Sequence, residues 1–323
     1  MNLTPIPKVL IIGLGNIGML YDLNFQGEEK ILTHCKSFYL NKKFKLVGGV
    51  DIKKEIRDLF EKHYKCLAFN DIKQAMKSLS PDIVIVSTSS ESHLENIKKI
   101  FKYGKPKIII CEKPLSYELN EAIEIVEICE KNSSKLFVNY FRRVQPAFLE
   151  IYNQIKLKNI HIPFQGICIY SKGIFNTTSH FIDLFQFYFG DVKKVKILNI
   201  NKKKKDPQPD FELIFEEGNI VFYSNENNDI FLNNIDLIFS NGKLTFENGG
   251  SQIIWRKSKN DQRFVGYKVL DDEPKLYRND FDRIQFHFTE QINNALKNEK
   301  VTLCTGKDAL LTQKVLNQIK SNL

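Results

Sequence analysis

Residues 9–18 read Val-Leu-Ile-Ile-Gly-Leu-Gly-Asn-Ile-Gly, and this stretch decides the fold of the first part of the chain. Four apolar residues run directly into a G-x-G-x-x-G pattern at Gly13, Gly15 and Gly18. A strand buried on both faces reads as an unbroken hydrophobic run. Between such a strand and a helix, each glycine has its own task. The first permits the tight turn, the second lets the backbone approach a pyrophosphate, and the third lets helix and strand pack closely. Unpaired N–H groups at the helix start then face the phosphates. Gly13, Gly15, Asn16, Ile17 and Gly18 are therefore candidate dinucleotide-binding residues.

Working outward, short apolar runs recur at 9–13, 45–50, 82–87, 107–111 and 135–140. Helical patterns lie between them near 16–22, 53–62, 71–79, 91–103 and 118–131. Strand and helix in alternation predict an α/β domain of the Rossmann type, a doubly wound parallel sheet. After about residue 145 the rhythm changes. A helix opens at Pro146, a strand covers 164–171, and a helix follows over the segment beginning Gly173. From 193 to 270 strands follow one another with turn signals at 216–219, 225–229 and 240–243. Such spacing predicts antiparallel pairing. Helices near 280–297 and 307–321 close the chain. The expectation is a Rossmann domain over 1–141 and, over 142–323, an α+β domain with a largely antiparallel open sheet for substrate binding and oligomerisation.

The 323 residues carry a net charge of +9, which raises the question of nucleic acid. Lys, Asn, Ile and Phe are abundant together, as AT-rich codons would produce, and the densest run, Lys202–Lys205, reads as a solvated loop. No element alternates basic and aromatic residues as a nucleic-acid surface requires, so phosphates of a cofactor or substrate are the expected anions. Six cysteines lie far apart without metal-ligand spacing, which predicts reduced thiols and no metal site. The N-terminal residues lack the features of a secretion signal, and no apolar run is long enough to span a bilayer. A cytoplasmic protein is expected.

Further candidates lie where strands end. Asp51 closes the second run, where a carboxylate accepts from the ribose 2′-OH and repels a 2′-phosphate; this favours NAD over NADP, although Lys53 and Lys54 follow. Asp51 lies further from the glycines than the usual spacing of about 20 residues, because residues 21–44 exceed a minimal helix and connection. Ser87, Thr88 and Ser89 end another run, at the edge where open sheets bind ligands, with His93 shortly after. His93 reads equally as a surface residue, and Ser90 as a helix N-cap. Glu112 and Lys113 end the run at 107–111. A lysine there can exchange a proton with a carbinol hydroxyl, or be an exposed residue before a proline turn. Asn176, His180 and Asp183 share one face if their segment is helical.

The ordered set GLGNIG (13–18), EKP (112–114), RRVQP (142–146), GIFNTTSHFID (173–183) and TGKDA (305–309) resembles the Gfo/Idh/MocA family of glucose–fructose oxidoreductases, inositol dehydrogenases and rhizopine-catabolism proteins. The resemblance covers nearly the whole chain. It implies an NAD(P)-dependent oxidoreductase moving hydride between the cofactor and a secondary hydroxyl or ketone of a sugar, nucleotide-sugar or cyclitol. It implies that Lys113 acts on the hydroxyl, that its bond to Pro114 is often cis, and that His180 is the second catalytic residue. Asp183 is implied as the companion of His180, Arg142 and Arg143 as cleft residues, and Tyr140 or Asn139 as their neighbours. Homodimers or homotetramers through the open sheet are implied as well. The family's aspartate four residues before the histidine is Asn176 here, and its glycine two before is Thr178. Asparagine orients by hydrogen bonding but carries no proton. Two other readings remain: a reductase of unsaturated or aromatic-derived substrates, and a non-catalytic NAD-binding regulator.

Overall fold

The computed structural model describes residues 5–200, 206–225 and 230–323. The Lys202–Lys205 run and most of the turn expected at 225–229 lie outside the described residues. The chain divides into two compact units, residues 1–144 with 281–313 and residues 145–280 with 314–323.

The first unit contains β1 (Lys8–Ile12), α1 (His34–Leu40), β2 (Lys45–Val50), α2 (Lys54–Tyr64), β3 (Leu67–Phe69), α3 (Ile72–Leu79), β4 (Ile83–Val86), α4 (His93–Tyr103), β5 (Ile108–Cys111), α5 (Leu119–Lys131) and β6 (Lys135–Val138). The six strands are parallel in the order β6-β5-β4-β1-β2-β3. Alternate residues of the central strands enter two apolar layers. Leu10, Ile12, Val84, Val86 and Ile109 pack with residues of α3, α4 and α5. Val9, Ile11, Ile83, Ile85, Ile108 and Ile110 pack with Cys35, Phe38, Phe60 and Tyr64 of α1 and α2. Each such side chain contributes about 1.5–3 kcal/mol by leaving water, and this two-sided burial is why the strands read as continuous apolar runs.

The second unit contains α6 (Pro146–Lys156), β7 (Phe164–Tyr170), α7 (Ser179–Phe189), β8 (Lys194–Asn199), β9 (Asp210–Phe215), β10 (Gly218–Ser224), β11 (Asn234–Phe239), β12 (Gly242–Glu247), β13 (Gln252–Asn260), β14 (Lys268–Leu270) and β15 (Lys275–Arg278). These nine strands form one sheet, antiparallel except where β10 runs parallel to β7. In β7, Phe164, Gly166, Cys168 and Tyr170 are buried while Gln165, Ile167 and Ile169 are exposed. A phenylalanine layer covers the inner side: Phe189 of α7 stacks on Phe164 at 3.8 Å, and Phe211 on Phe222 at 4.5 Å. The other face keeps Ile167, Tyr223 and Ile238 in the open.

The structure differs from the sequence expectations in three places. First, α8 (Ile284–Leu296) and β16 (Cys304–Thr305) belong to the first unit, whereas a single boundary after residue 141 was expected. Phe288, Ile292 and Ala295 of α8 join the layer beneath β1 and β4, and β16 pairs antiparallel with β6. The closing α9 (Gly306–Ser321) has residues in both units. Second, β3 was not expected from its three residues. Third, 16–22 is not an α-helix. It is one turn ending in a 3-10 segment, Leu20–Asp22, and the regular helix begins at His34.

The third difference has a single cause. The N–H of Met19 bonds Gly15 O at 2.8 Å and that of Tyr21 bonds Asn16 O at 3.0 Å, but the carbonyls of Ile17 and Gly18 accept from His34 at 3.1 Å and Cys35 at 2.9 Å. The first helix of the fold is thus continued by α1 after an excursion of roughly a dozen residues. Without the excursion, Asp51 would follow Gly18 by about 20 residues, the ordinary spacing. Asp22, 1% exposed, closes the excursion. Its carboxylate accepts from Leu32 N (2.6 Å), Thr33 N (2.9 Å) and Thr33 Oγ1 (2.6 Å), while Thr33 caps α1 through Lys36 N.

Removing Asp22 takes the acceptor from three donors, two of them buried. Asp22→Ala is expected to lower stability by about 3 kcal/mol, and Asp22→Asn, which keeps one acceptor, by less. Urea unfolding checks this. A loss well below about 1 kcal/mol for Asp22→Ala would show that another contact closes the excursion.

Candidate functional site

At the carboxyl ends of β1, β4, β5 and β6 the first unit gathers most of the polar residues singled out in its sequence. The three glycines divide their tasks as the pattern requires. Gly13 has φ +93°, and a Cβ there would lie 2.7 Å from the Ser87 carbonyl. A Cβ on Gly18 would collide with the Gly13 carbonyl oxygen, whereas one on Gly15 would meet nothing within 4 Å. The loop is therefore closed against protein at its first and third glycines and open at the second. That shape, with exposed Asn16 beside it, fits a dinucleotide pyrophosphate.

Asp51 is half-buried, and its carboxylate already braces the loop: Oδ2 accepts from Leu14 N and Oδ1 from Lys53 N, both at 2.9 Å. Each oxygen keeps capacity for a further donor such as a ribose hydroxyl. The sequence points to Lys53 and Lys54 as the cations near Asp51. It gives no hint of Arg57, whose Nη1 donates to the carbonyls of Asp51 and Ile52 at 2.9 and 3.0 Å.

Ser87 donates to Gly13 O at 2.8 Å and so joins β4 to the glycine loop. Thr88 Oγ1 accepts from Ser92 and Asn96 at 2.8 and 3.0 Å, and Ser89 is exposed. Ser90 does not cap the helix. It sits inside a 3-10 turn, Ser90–Ser92, because the chain turns once more before α4 begins. Nor is His93 a surface residue: it is fully enclosed, with ring nitrogens 3.1 Å from the carbonyls of Thr88 and Leu115. Burial pushes its imidazole pKa down, and a neutral ring donates to one of the two. Its effect on a ligand runs through the two loops it ties together.

Glu112 lies at the centre of the strongest polar cluster. Its Oε1 accepts from Asn139 Nδ2 at 2.7 Å and lies 2.7 Å from His34 Nε2, while Oε2 faces the Lys113 amide at 3.4 Å. Burial would raise this carboxyl, but His34, Asn139 and the charge of Lys113 together hold it below the ordinary range. Lys113 itself is half-buried, and its bond to Pro114 is cis. No local motif contains His34; the over-long gap between Gly18 and Asp51 was the only signal of the segment that delivers it.

The residues after β6 also have structural engagements. Tyr140 is 2% exposed and packs in the apolar layer with Val138 and Cys304. Arg142 lies over the rings of Phe141 and Phe281, at 4.9 and 6.0 Å. Arg143 Nη1 is 3.4 Å from Asp308, which forms a reciprocal cap with Thr305 at the start of α9.

In the second unit, Ile174–Thr178 form a wide π-type turn before α7. The extra residue in that turn shifts Asn176 off the expected common face: Asn176 is exposed, while His180 and Asp183 are buried. Neither Asn176 nor a neighbouring hydroxyl caps the segment. The cap is Asp206, whose carboxylate accepts from Phe175 N at 3.0 Å and Asn176 N at 2.9 Å. A side chain on Gly173 would collide with that carboxylate.

This architecture, a Rossmann sheet with a dinucleotide loop plus a largely antiparallel sheet, defines an NAD-binding oxidoreductase class. Residues 7–140 match the Gfo/Idh/MocA family model, described as an oxidoreductase family with an NAD-binding Rossmann fold. It is 24% identical over 157 residues to the myo-inositol 2-dehydrogenase of Thermotoga maritima, an alignment covering 48% of this chain and 42% of that protein. The matched part thus spans well under half of that relative's length. Among solved structures, the WlbA dehydrogenase of Bordetella pertussis, crystallised with NADH and UDP-GlcNAcA, superposes with TM-score 0.76 at 14% identity, covering 98% of this chain and 94% of that one. A super-repressor mutant of Gal80p from Saccharomyces cerevisiae superposes with TM-score 0.78 at 15% identity, covering 98% and 95%. At these identities the likeness is one of fold. The matched segment is thus that of an NAD-binding fold. Among the described residues, no helix is long and apolar enough to cross a membrane.

The open space at Gly15 and the closed space at Gly18 predict opposite outcomes for two alanines. Gly15→Ala is expected to keep the wild-type melting temperature and to weaken NADH binding by about tenfold or more, since its methyl occupies the pyrophosphate's approach. Gly18→Ala is expected to lower the melting temperature by several degrees through overpacking. Fluorescence titration and thermal melts read both. Unchanged NADH affinity in Gly15→Ala would count against this loop as the phosphate site.

Proposed function

We propose that the protein is an NAD-dependent dehydrogenase that reversibly oxidises a secondary hydroxyl of a sugar, nucleotide-sugar or cyclitol, phosphorylated forms included. The observation that carries this reading is Lys113, half-buried at the carboxyl end of β5, two strands from the glycine loop and next to an ionised Glu112. When bound, the nicotinamide supplies the two-electron redox chemistry. Lys113 Nζ takes the hydroxyl proton, a role that requires the amine in its neutral form and within reach of the substrate. His180 is proposed as the second proton-handling group, with Asn176, Asp183, Tyr140, Arg142 and Arg143 as substrate-positioning residues. Gly13, Gly15, Asn16, Ile17, Gly18, Asp51, Ser87, Thr88, Ser89, His93 and Glu112 are proposed to bind or shape the cofactor site; NADP is tolerated to the extent that Arg57 offsets Asp51. The UDP-sugar crystallised with the Bordetella enzyme and the inositol for which the Thermotoga relative is named support this substrate class.

A second reading, a non-catalytic NAD-binding regulator, draws support from Asn176, which carries no proton, and from the likeness to Gal80p. The apolar outer face of the second unit's sheet, with Ile167, Tyr223 and Ile238 exposed, supports a homodimer or homotetramer through that face. A cytoplasmic location is proposed along with the dehydrogenase reading.

Lys113→Ala is expected to cut kcat by about 10²–10⁴-fold on the substrate found by screening polyols, cyclitols and nucleotide sugars with NAD. NADH affinity should stay within about threefold. Turnover retained in Lys113→Ala would sink the proton-transfer role, and tight NAD binding with no turnover of any member of the panel would favour the regulator. For the assembly, Ile167→Glu combined with Ile238→Glu is expected to reduce the molecular mass measured by light scattering. An unchanged mass would place the interface elsewhere.

A further inference from the structure

We propose that the second unit carries a binding site for a phosphorylated small molecule, in the cavity between the loop after α6 and the paired strands β13 and β15. None of its residues is a candidate for cofactor or substrate contact, so the site stands apart from the dehydrogenase reading. The cavity measures about 480 Å³, within the range of about 300–1,000 Å³ that small-molecule sites occupy. Lys158, His161, Trp255, Lys257, Ser258 and Lys275 line it, and among the described residues no carboxylate does.

Strand alternation brings the cations together. In β13, Ile253 and Trp255 are buried, and Lys257 is the next residue on that face. Cross-strand partners share a face, and Lys275 of β15 is paired with Trp255. Gly242 stands opposite Lys257, so β12 brings no side chain to that position. The inner face of the sheet thus turns from apolar to cationic beyond Trp255. Lys158, just past the end of α6, adds a third amine. Positive charge is ordinary at a helix C-terminus, but that accounts for Lys158 alone.

Among the described residues, none of the three amines has a carboxylate partner. Lys275 lies over the Tyr277 ring at 4.7 Å, and the carboxylates between β14 and β15, Asp271 and Asp272, are held by Lys259 at 3.3 and 2.7 Å. Like charges gathered at a concave wall focus their field on the space between them. The wall is held in shape by Asn241, which accepts from His161 N at 3.0 Å and donates to Asn159 O at 2.9 Å, joining the loop to the β11–β12 turn. The Ser258 hydroxyl and the His161 ring add hydrogen-bond donors. A phosphate monoester carries about two negative charges and three acceptor oxygens, which suits three amines better than the single charge of a carboxylate. Lysine serves such groups as a point charge, without the planar geometry that arginine imposes.

The test titrates inorganic pyrophosphate into the full chain by calorimetry at low salt, with NADH saturating so that the glycine loop is filled. Wild type is expected to bind, and Lys257→Gln/Lys275→Gln to bind about tenfold or more weakly, since two charged contacts are lost. Both lysines are exposed, so this variant keeps its fold. Lys257→Arg/Lys275→Arg keeps both charges and should bind within about threefold of wild type. Lys99→Gln/Lys105→Gln removes the same charge from exposed positions of the first unit and should also bind as wild type. No binding by wild type overturns the proposal. Equal weakening in the two glutamine pairs overturns it too, as an effect of net charge alone. A loss in Gly15→Ala with none in Lys257→Gln/Lys275→Gln would place the bound phosphate at the glycine loop instead. Displacement of pyrophosphate by a single-stranded oligonucleotide at equal phosphate concentration would make the cavity part of a nucleic-acid surface and remove the small-molecule assignment.

Discussion

The first unit is organised around one buried carboxylate. Glu112 sits where an apolar strand ends, and an anion in that place is tolerated only with donors directed at it. Those donors come from separate parts of the chain: the ring of His34 on α1, the amide of Asn139 after β6, and the residue that follows Glu112 itself. The same carboxylate therefore fixes a helix and two strand ends relative to one another. The placement of α1 is in turn set by Asp22, which closes the excursion, and by the carbonyls of Ile17 and Gly18, which accept from His34 and Cys35. The insertion is consequently part of the site's frame, since without its return the ring of His34 would not reach β5.

Much of the fold was legible because its periodicities are strong. The apolar runs became β1, β2, β4, β5 and β6 with ends moved by a residue or two, and most helical patterns held to a similar margin. What escaped was of two kinds. β3 has three residues, too few for a period to register, and an edge strand needs only a short ladder. The allegiance of α8 depends on which sheet its Phe288–Ile292 stripe covers, and an amphipathic stripe carries no such address. In the site, glycines, Asp51 and Lys113 announce themselves by local spacing. His34 and Arg57 do not: the first meets a partner 78 residues away, and the second acts on backbone carbonyls. Asp206, likewise, is legible as a cap only after folding brings it to Asn176.

Several polar residues at the strand ends are first of all ties between loops. Asp51 holds Leu14, Ser87 holds Gly13, and His93 spans Thr88 and Leu115. Such ties remove freedom from the backbone that a dinucleotide must meet, so less order has to be imposed when it binds. They also separate two ways of serving one site. The enclosed ring of His93 can act only by shaping loops, whereas the open space over Gly15 and the exposed Asn16 leave backbone free for contact.

The same distinction applies to the place where the chain departs most from the pattern it resembles. Asn176 lacks the carboxylate that the resemblance leads one to look for, and from sequence the turn before α7 therefore looks stripped of charge. In the structure a carboxylate is present in that turn. Asp206 supplies it, accepting from the amides of Phe175 and Asn176, at the end of a helical segment where negative charge is stabilised. Gly173, with φ +86°, is the position that makes room for it. The departure thus relocates an anion to another loop while keeping it in the same turn. What it does change is the chemistry at position 176 itself, since an asparagine has no proton to give. His180 and Asp183, by contrast, are buried together by α7.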